Sequence, residues 1–168
     1  MKIDTGRFTF GVLTMSDKGS RGEREDTSGP FLVKLLAEEG YQQKAYTVIP
    51  DQVEKIRDTL IAWVDEENID LIITTGGTGV APTDVTPEAM VAVIEKDIPG
   101  MAEAMRAESL KKTPNAVLSR GKAGIRKNSL IINLPGSEKA ARENIAVLLP
   151  SLAHALDKIQ GGTSDCGV

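Results

Sequence analysis

"DLIITTGGTGVAPTDVTPEAM", residues 70–90, carries three signals in immediate succession. Leu71, Ile72, Ile73 and Thr74 form an apolar, largely β-branched run without polar alternation, the pattern of a strand covered on both faces. Gly76, Gly77 and Gly79 then break the run. Thr86, Pro87 and Glu88 read as a helix start, with threonine as N-cap, proline in the first helical position and an acid behind it. Strand, glycine loop and helix in this order point to an α/β fold.

The same alternation extends in both directions. Residues 8–15 (FTFGVLTM) read as a buried strand that Gly11 weakens, and residues 45–49 (AYTVI) as a second. Residues 124–136 (GIRKNSLIINLPG) read as a short turn feeding another strong strand. Thr27 or Ser28 caps a helix with Pro30 in its first turn and a stripe of Phe31, Leu32, Leu35 and Leu36, ended by Gly40. A helix over about 52–67 places Ile56, Leu60, Trp63 and Val64 on one face. The helix after the glycine loop is expected to reach about Lys96, another to cover 101–110, and the last to run over 138–160 with a break or kink at Pro150. Such alternation predicts an open, mainly parallel sheet with helices on both faces, and a ligand site at the carboxyl ends of its strands. The 168 residues are expected to form a single domain, with a loose tail from about 161.

Composition narrows the function. A net charge of −4 argues against general nucleic-acid binding. A single cysteine, Cys166, excludes a disulfide framework within the chain and cysteine-rich metal sites, and fits a reducing compartment. The N-terminus has no signal-peptide pattern and no apolar run is long enough for a membrane span, so a cytoplasmic location is expected. His154 is the only histidine and falls inside the last helix, which argues against a Ser-His-Asp or zinc site.

The loops carry the chemistry. Gly76, Gly77 and Gly79 permit positive φ and let backbone N–H groups turn toward an anion, helped by the following helix N-terminus; a plain turn is the alternative. The spacing matches neither a Walker loop nor a dinucleotide fingerprint. Asp51 and Asp84 each follow a strand and could hold Mg²⁺ together with substrate phosphates. Equally, Asp51 could cap the next helix and Asp84 could serve a turn. Asp17 and Asp26 flank a polar loop that ordinary capping explains as well as a second anion site does. From 111 to 137 six basic residues (Lys111, Lys112, Arg120, Lys122, Arg126 and Lys127) stand without an acid, which reads as a local positive field.

"TTGGTG…DVTPEA", preceded by "SD…DTSGP" and "IPD" and followed by residues 108–156 (ESLKKTPNAVLSRGKAGIRKNSLIINLPGSEKAARENIAVLLPSLAHAL), resembles the molybdenum-cofactor biosynthesis domain, and within it the molybdopterin adenylyltransferases. The resemblance spans about 8–160. It implies a three-layer α/β/α sandwich on a mostly parallel sheet, a homotrimer, and transfer of the adenylyl group of MgATP to the terminal phosphate of molybdopterin with release of pyrophosphate. It also implies a catalytic and metal-holding pair, Asp51 and Asp84. Nucleotide contacts would come from Ser16, Asp17, Thr75, Gly76, Gly77, Thr78 and Gly79. Pterin contacts would come from Ser119, Arg120, Pro135, Gly136 and Ser137, with a molybdenum insertase downstream. Where related chains often carry a basic residue before the loop aspartate, this one has Thr83, and Arg120 or Lys122 is the expected substitute. A paralogue that binds without turnover and a scaffold module are the alternatives. Retention of Asp51 and Asp84 favours the enzyme. The apolar Met101, Ala102, Ala104, Met105 and Ala107 suggest that their helix forms the subunit contact.

Overall fold

The structure, a computed structural model, describes residues 3–163, so Cys166 lies outside the described residues. Six strands form one sheet: β1 (Thr9–Met15), β2 (Gln42–Ile49), β3 (Leu71–Thr75), β4 (Lys96–Asp97), β5 (Ala123–Arg126) and β6 (Ser129–Leu134), in the order β2-β1-β3-β6-β5-β4. β2, β1, β3 and β6 are mutually parallel, while β5 is reversed and pairs antiparallel with both β6 and β4. The helices are α1 (Asp17–Ser20), α2 (Ser28–Glu38), α3 (Val53–Asp65), α4 (Thr86–Val93), α5 (Pro99–Leu110) and α6 (Glu138–Ile159).

β3 is buried at every position, as its unbroken apolar run requires of a central strand. Leu71 and Ile73 join a core with α2, α5 and α6. Ile72 joins a second core on the opposite face with α3 and α4. Alternate side chains thus go to opposite faces, and the product is the expected three-layer α/β/α sandwich. Each such buried branched side chain stabilises by about 1.5–3 kcal/mol. Both sheet edges are polar: β2 begins Gln42, Gln43, Lys44, all exposed, and β4 is only Lys96 and Asp97. Short, charged edges discourage pairing with other chains.

Four local expectations change. The helix after the glycine loop stops at Val93, because Glu95 and Ile98 donate their N–H groups to Ile125 and Ala123 and so draw the chain into the edge strand β4. β5 and β6 form a hairpin where one strand was expected, turning at Lys127 with φ 50°. α6 runs on through Pro150. The carbonyl four residues earlier belongs to Ala146, which is exposed, so water can take the place of the missing N–H. Met105 is 3% exposed and sits with Ala102 in the core, so the Met105 face of α5 is internal packing rather than a subunit contact.

Acids from other elements pair with five of the six basic residues of the expected positive field, all but Lys122. Lys111, Lys112, Arg120, Arg126 and Lys127 pair with Glu108, Glu143, Glu88, Asp65 and Asp65, acids drawn from α3, α4, α5 and α6. The Arg126 fork is the most developed of these. It grips both oxygens of Asp65 at 3.0 and 2.8 Å and donates to the Val93 carbonyl at 3.1 Å. The Arg126 hydrogen bonds, with help from Lys127, hold the Asp65 carboxyl at about 2, below its ordinary 3.8. A depressed folded pKa contributes stability that is full above 3.8 and lost as pH falls through 2. Arg126→Gln is therefore expected to lower stability to urea at neutral pH, with the gap to the parent chain narrowing between about pH 4 and pH 2. A gap that stays constant with pH would show that the Val93 carbonyl contact alone carries the effect.

Candidate active site

The strand order reverses between β1 and β3: the chain leaves β1 for β2 on one side and returns to β3 on the other. Such a switch point leaves a crevice beyond the carboxyl ends of the two strands. A cleft of about 420 Å³ opens there, lined by Ser16 after β1, Asp51 after β2, and Thr75, Gly76, Gly77 and Asp84 after β3. Gly136 and Ser137, after β6, complete the wall, together with residues 24–28.

Backbone geometry explains the glycines. Gly76 has φ 104°, and a Cβ there would lie 2.4 Å from the Met15 carbonyl oxygen. Gly77 has φ 67°, and a Cβ there would lie 2.4 Å from Thr86 Oγ1 and 3.2 Å from Asp51 Oδ1. Both positions need the left-handed region and the absence of a side chain. Thr86 is not the N-cap that its position suggested. Its hydroxyl donates to the Gly76 carbonyl at 2.9 Å and its N–H to the Gly77 carbonyl at 3.1 Å, closing the loop onto α4. The β3 and β6 loops are fastened together as well: Thr75 Oγ1 donates to the Pro135 carbonyl, and Gly76 N to the Leu134 carbonyl. Ser28 Oγ brings α2 to the same place through the Gly136 carbonyl.

The two aspartates are held differently. Asp51 does not cap α3, whose N-cap, Gln52, makes no side-chain cap bond. Its Oδ2 accepts the Asp17 N–H at 3.0 Å, and its own N–H donates to Asp17 Oδ1 at 3.0 Å, a reciprocal latch between the β1 and β2 loops. Asp84 Oδ2 accepts the Ala81 N–H at 2.9 Å, and the Asp84 N–H returns to the Ala81 carbonyl. Among the described residues no donor reaches Oδ1 of either, and both carboxylates line the cleft. Burial, then the neighbouring Asp17 and Asp84 carboxylates, push the Asp51 carboxyl up despite the Asp17 N–H bond. Asp26 is a cap and a strut: Gly29 N–H, Thr14 Oγ1 and Tyr46 Oη all donate to it.

The remaining predicted residues divide among neighbouring cavities. Asp17 touches the cleft only through Asp51. Thr78, Gly79, Ser119 and Pro135 line a second, more apolar cavity of about 250 Å³, closed by α5 and α6. Arg120 lines a third of about 380 Å³, with Glu88, Arg106 and Lys122. Its guanidinium turns toward the glycine loop, to the Gly79 and Asp84 carbonyls. Neither Arg120 nor Lys122 lines the main cleft, so neither supplies there the charge that Thr83 lacks. Arg24 does, and sequence reasoning missed it. Among the described residues it is the one cation lining the cleft, against Glu25, Asp26, Asp51, Asp84 and Glu138, and no ion pair engages it. Its only sequence signal is its place in the long loop between the first strand and the first long helix.

Fold and site define an α/β sandwich with a ligand cleft at the switch point of its parallel strands, walled by glycine turns and two aspartates. Residues 11–154 match the family model described as "Probable molybdopterin binding domain", and the chain belongs to that family. It is 44% identical over 154 residues to the molybdopterin adenylyltransferase of Helicobacter pylori strain J99, covering 90% of this chain and 88% of that protein. It is 46% identical over 153 residues to the molybdenum cofactor synthesis protein cinnamon of Drosophila melanogaster, covering 89% of this chain but only 26% of that protein. Among solved structures it superposes on the molybdopterin biosynthesis enzyme MoaB of Thermus thermophilus with a TM-score of 0.86 and 49% identity, over 92% of this chain and 97% of that one.

Proposed function

We propose that this chain transfers the adenylyl group of ATP to the terminal phosphate of molybdopterin and releases pyrophosphate. Its likeness to curated molybdopterin adenylyltransferases supports an enzyme of molybdenum cofactor biosynthesis. The observation that carries the finer reading is the pair Asp51 and Asp84, each with one oxygen fixed by a backbone N–H and the other left for the cleft.

A phosphate monoester has its second pKa near about 6, so the attacking oxygen is ionised at neutral pH and needs no general base. This suits a cleft lined by no histidine. The new bond joins that oxygen to the α-phosphorus, and the bond from the α-phosphorus to the bridging oxygen of the β-phosphate breaks. The task of the protein is then positioning and charge neutralisation. The free oxygens of Asp51 and Asp84 suit Mg²⁺, which takes one or two carboxylates plus substrate phosphates, and a Cβ at residue 77 would crowd Asp51 Oδ1 at 3.2 Å. Bound there, the ion would neutralise triphosphate charge. Gly76 and Gly77 keep the β3 turn open enough for a phosphate to approach the backbone, Ser16 and Thr75 extend the nucleotide side, and Thr78 and Gly79 lead from it to the neighbouring apolar cavity. Ser119 and Pro135 form the pterin side, with the apolar cavity next to the glycine loop receiving the ring, and Gly136 and Ser137, in the wall of the main cleft, join the pterin side to the nucleotide side.

Arg24 faces the triphosphate in this reading. Arg24→Ala is expected to raise the KM for ATP about tenfold, the effect of one charge-assisted hydrogen bond at an exposed site, with unchanged melting temperature and substantial rescue by lysine. An unchanged KM for ATP would remove Arg24 from the site.

The same reading includes a cytoplasmic homotrimer handing its product to a molybdenum insertase. Val91, Leu110, Val117 and Leu118 are exposed apolar side chains that such an assembly could cover. The decisive experiment supplies MgATP and molybdopterin and measures pyrophosphate. Release that requires molybdopterin supports the reading. Pterin binding without release would leave a binding paralogue instead.

A further inference from the structure

We propose that Arg120 is a positioning residue that holds Asp84 in the cleft, acting through the glycine loop rather than on the pterin; the inference rests on the adenylyl-transfer reading for its kinetic part only. Arg120 attaches to the 78–88 segment at four points. Its backbone N–H donates to the Thr78 carbonyl at 2.8 Å. Nε donates to the Gly79 carbonyl at 2.8 Å, and Nη2 to the Asp84 carbonyl at 2.8 Å. Nη1 pairs with Glu88 in the first turn of α4. A rigid planar fork thereby fixes the separation between the start of the loop and the residue that carries the carboxylate.

The loop has little else to fix it. Residues 80–83 are exposed, with Val80 at 60%. Apart from the Arg120 contact to the Asp84 carbonyl, Ala81 and Asp84 bond only to each other among the described residues, so that small turn moves as a unit. The Thr86 bonds to Gly76 and Gly77 hold the base of the loop but leave the stretch from Gly79 to Asp84 unsupported. Without the guanidinium, two carbonyls lose a charged donor and Asp84 is set by a free four-residue turn. Displacement by about 1 Å at a catalytic group is enough to cost about a hundredfold in rate.

The arrangement also accounts for Glu88. It stands outside the cleft, and its contact with Arg120 is the counter-charge that ties the guanidinium to the first turn of α4 while Nε and Nη2 reach the loop.

The test uses Arg120→Met, Arg120→Lys and Asp84→Asn, alone and combined. Hydrogen–deuterium exchange of the protein without substrates is expected to speed up about tenfold over residues 79–84 in Arg120→Met, less in Arg120→Lys, with no change over β3. In the molybdopterin-dependent assay, kcat is expected to fall about ten- to hundredfold in Arg120→Met while the KM for molybdopterin stays within about twofold. Adding Arg120→Met to Asp84→Asn is expected to cause no further loss, because both act through one carboxylate. Unchanged exchange over 79–84 would overturn the proposal. So would a raised KM for molybdopterin at normal kcat, which would make Arg120 a pterin contact, or additive losses in the double variant. Should Arg120→Met not fold, Arg120→Lys and Glu88→Gln carry the same readings with smaller expected changes. A parent chain without activity would defeat the adenylyl-transfer reading, while the exchange measurement would still decide the clamp.

Discussion

Asp84→Asn is expected to reduce adenylyl transfer about a hundred- to thousandfold while leaving the fold and the KM for molybdopterin nearly unchanged. The substitution is close to isosteric. The asparagine carbonyl oxygen can keep the Ala81 N–H bond that Oδ2 now accepts, so the turn from Ala81 to Asp84 survives. What changes is the second position. An amide NH₂ replaces the oxygen that faces the cleft, and it cannot hold a cation. Under the proposed function the loss would fall on the geometry of a metal-held triphosphate, a contribution made mainly in the transition state, and would appear in kcat. Steady-state rates with varied molybdopterin and saturating MgATP separate the cases. Activity within about threefold of the parent chain would take Asp84 out of the mechanism, and a collapse in melting temperature would make it a structural turn residue.

The parts of this site that were legible in the sequence are those set by local chemistry. β3 announces itself because a strand covered on both faces must be apolar throughout, and the glycines after it announce a turn because Gly76 and Gly77 need conformations that a side chain forbids. Position alone left Asp51 and Asp84 open between a cap or turn and a cation site; the family resemblance paired them, and the loops after β2 and β3 carry both to the same cleft.

What was not legible depends on partners distant in the chain. The basic run from 111 to 137 looked like a positive field because a sequence window cannot see Glu88 or Asp65, which neutralise it from other elements. Thr86 looked like a cap because capping is what a threonine before Pro87 usually does; its actual partner, Gly76, is ten residues back across the loop. β4 has two residues and therefore no periodicity to detect. Met105 looked surplus to one apolar stripe because the number of faces that α5 buries is set by α6, packed beside it. Arg24 gave no signal beyond its loop, since its meaning lies in Asp51, Asp84 and Glu138, which come to share its cleft only after folding.

Asp51→Asn is expected to abolish more than about 99% of turnover and, unlike most substitutions of a half-buried residue, to leave melting temperature at neutral pH equal or higher. The direction of one pKa shift decides the second part. Burial raises the Asp51 carboxyl above its ordinary 3.8, and the Asp17 and Asp84 carboxylates add to that against the Asp17 N–H bond. A carboxyl raised in the folded state contributes stability that is full below 3.8 and lost as pH climbs through its folded pKa. At neutral pH the ionised group is therefore worse placed in the protein than in the unfolded chain. Asparagine removes the charge, while its carbonyl oxygen still accepts the Asp17 N–H that Oδ2 takes at 3.0 Å. The variant should match or exceed the parent near neutral pH, and the difference should shrink toward about pH 4. Mg²⁺ should stabilise the parent and leave the variant unmoved, because the cation relieves the same repulsion that the amide removes. A lower melting temperature at neutral pH would show that the latch to the Asp17 loop, not the cleft charge, governs this residue. Normal turnover would show that the cleft needs only one of its two aspartates. The expected pairing of lost activity with retained or gained stability is the signature of a carboxylate kept in an unfavourable place for the ligand it holds.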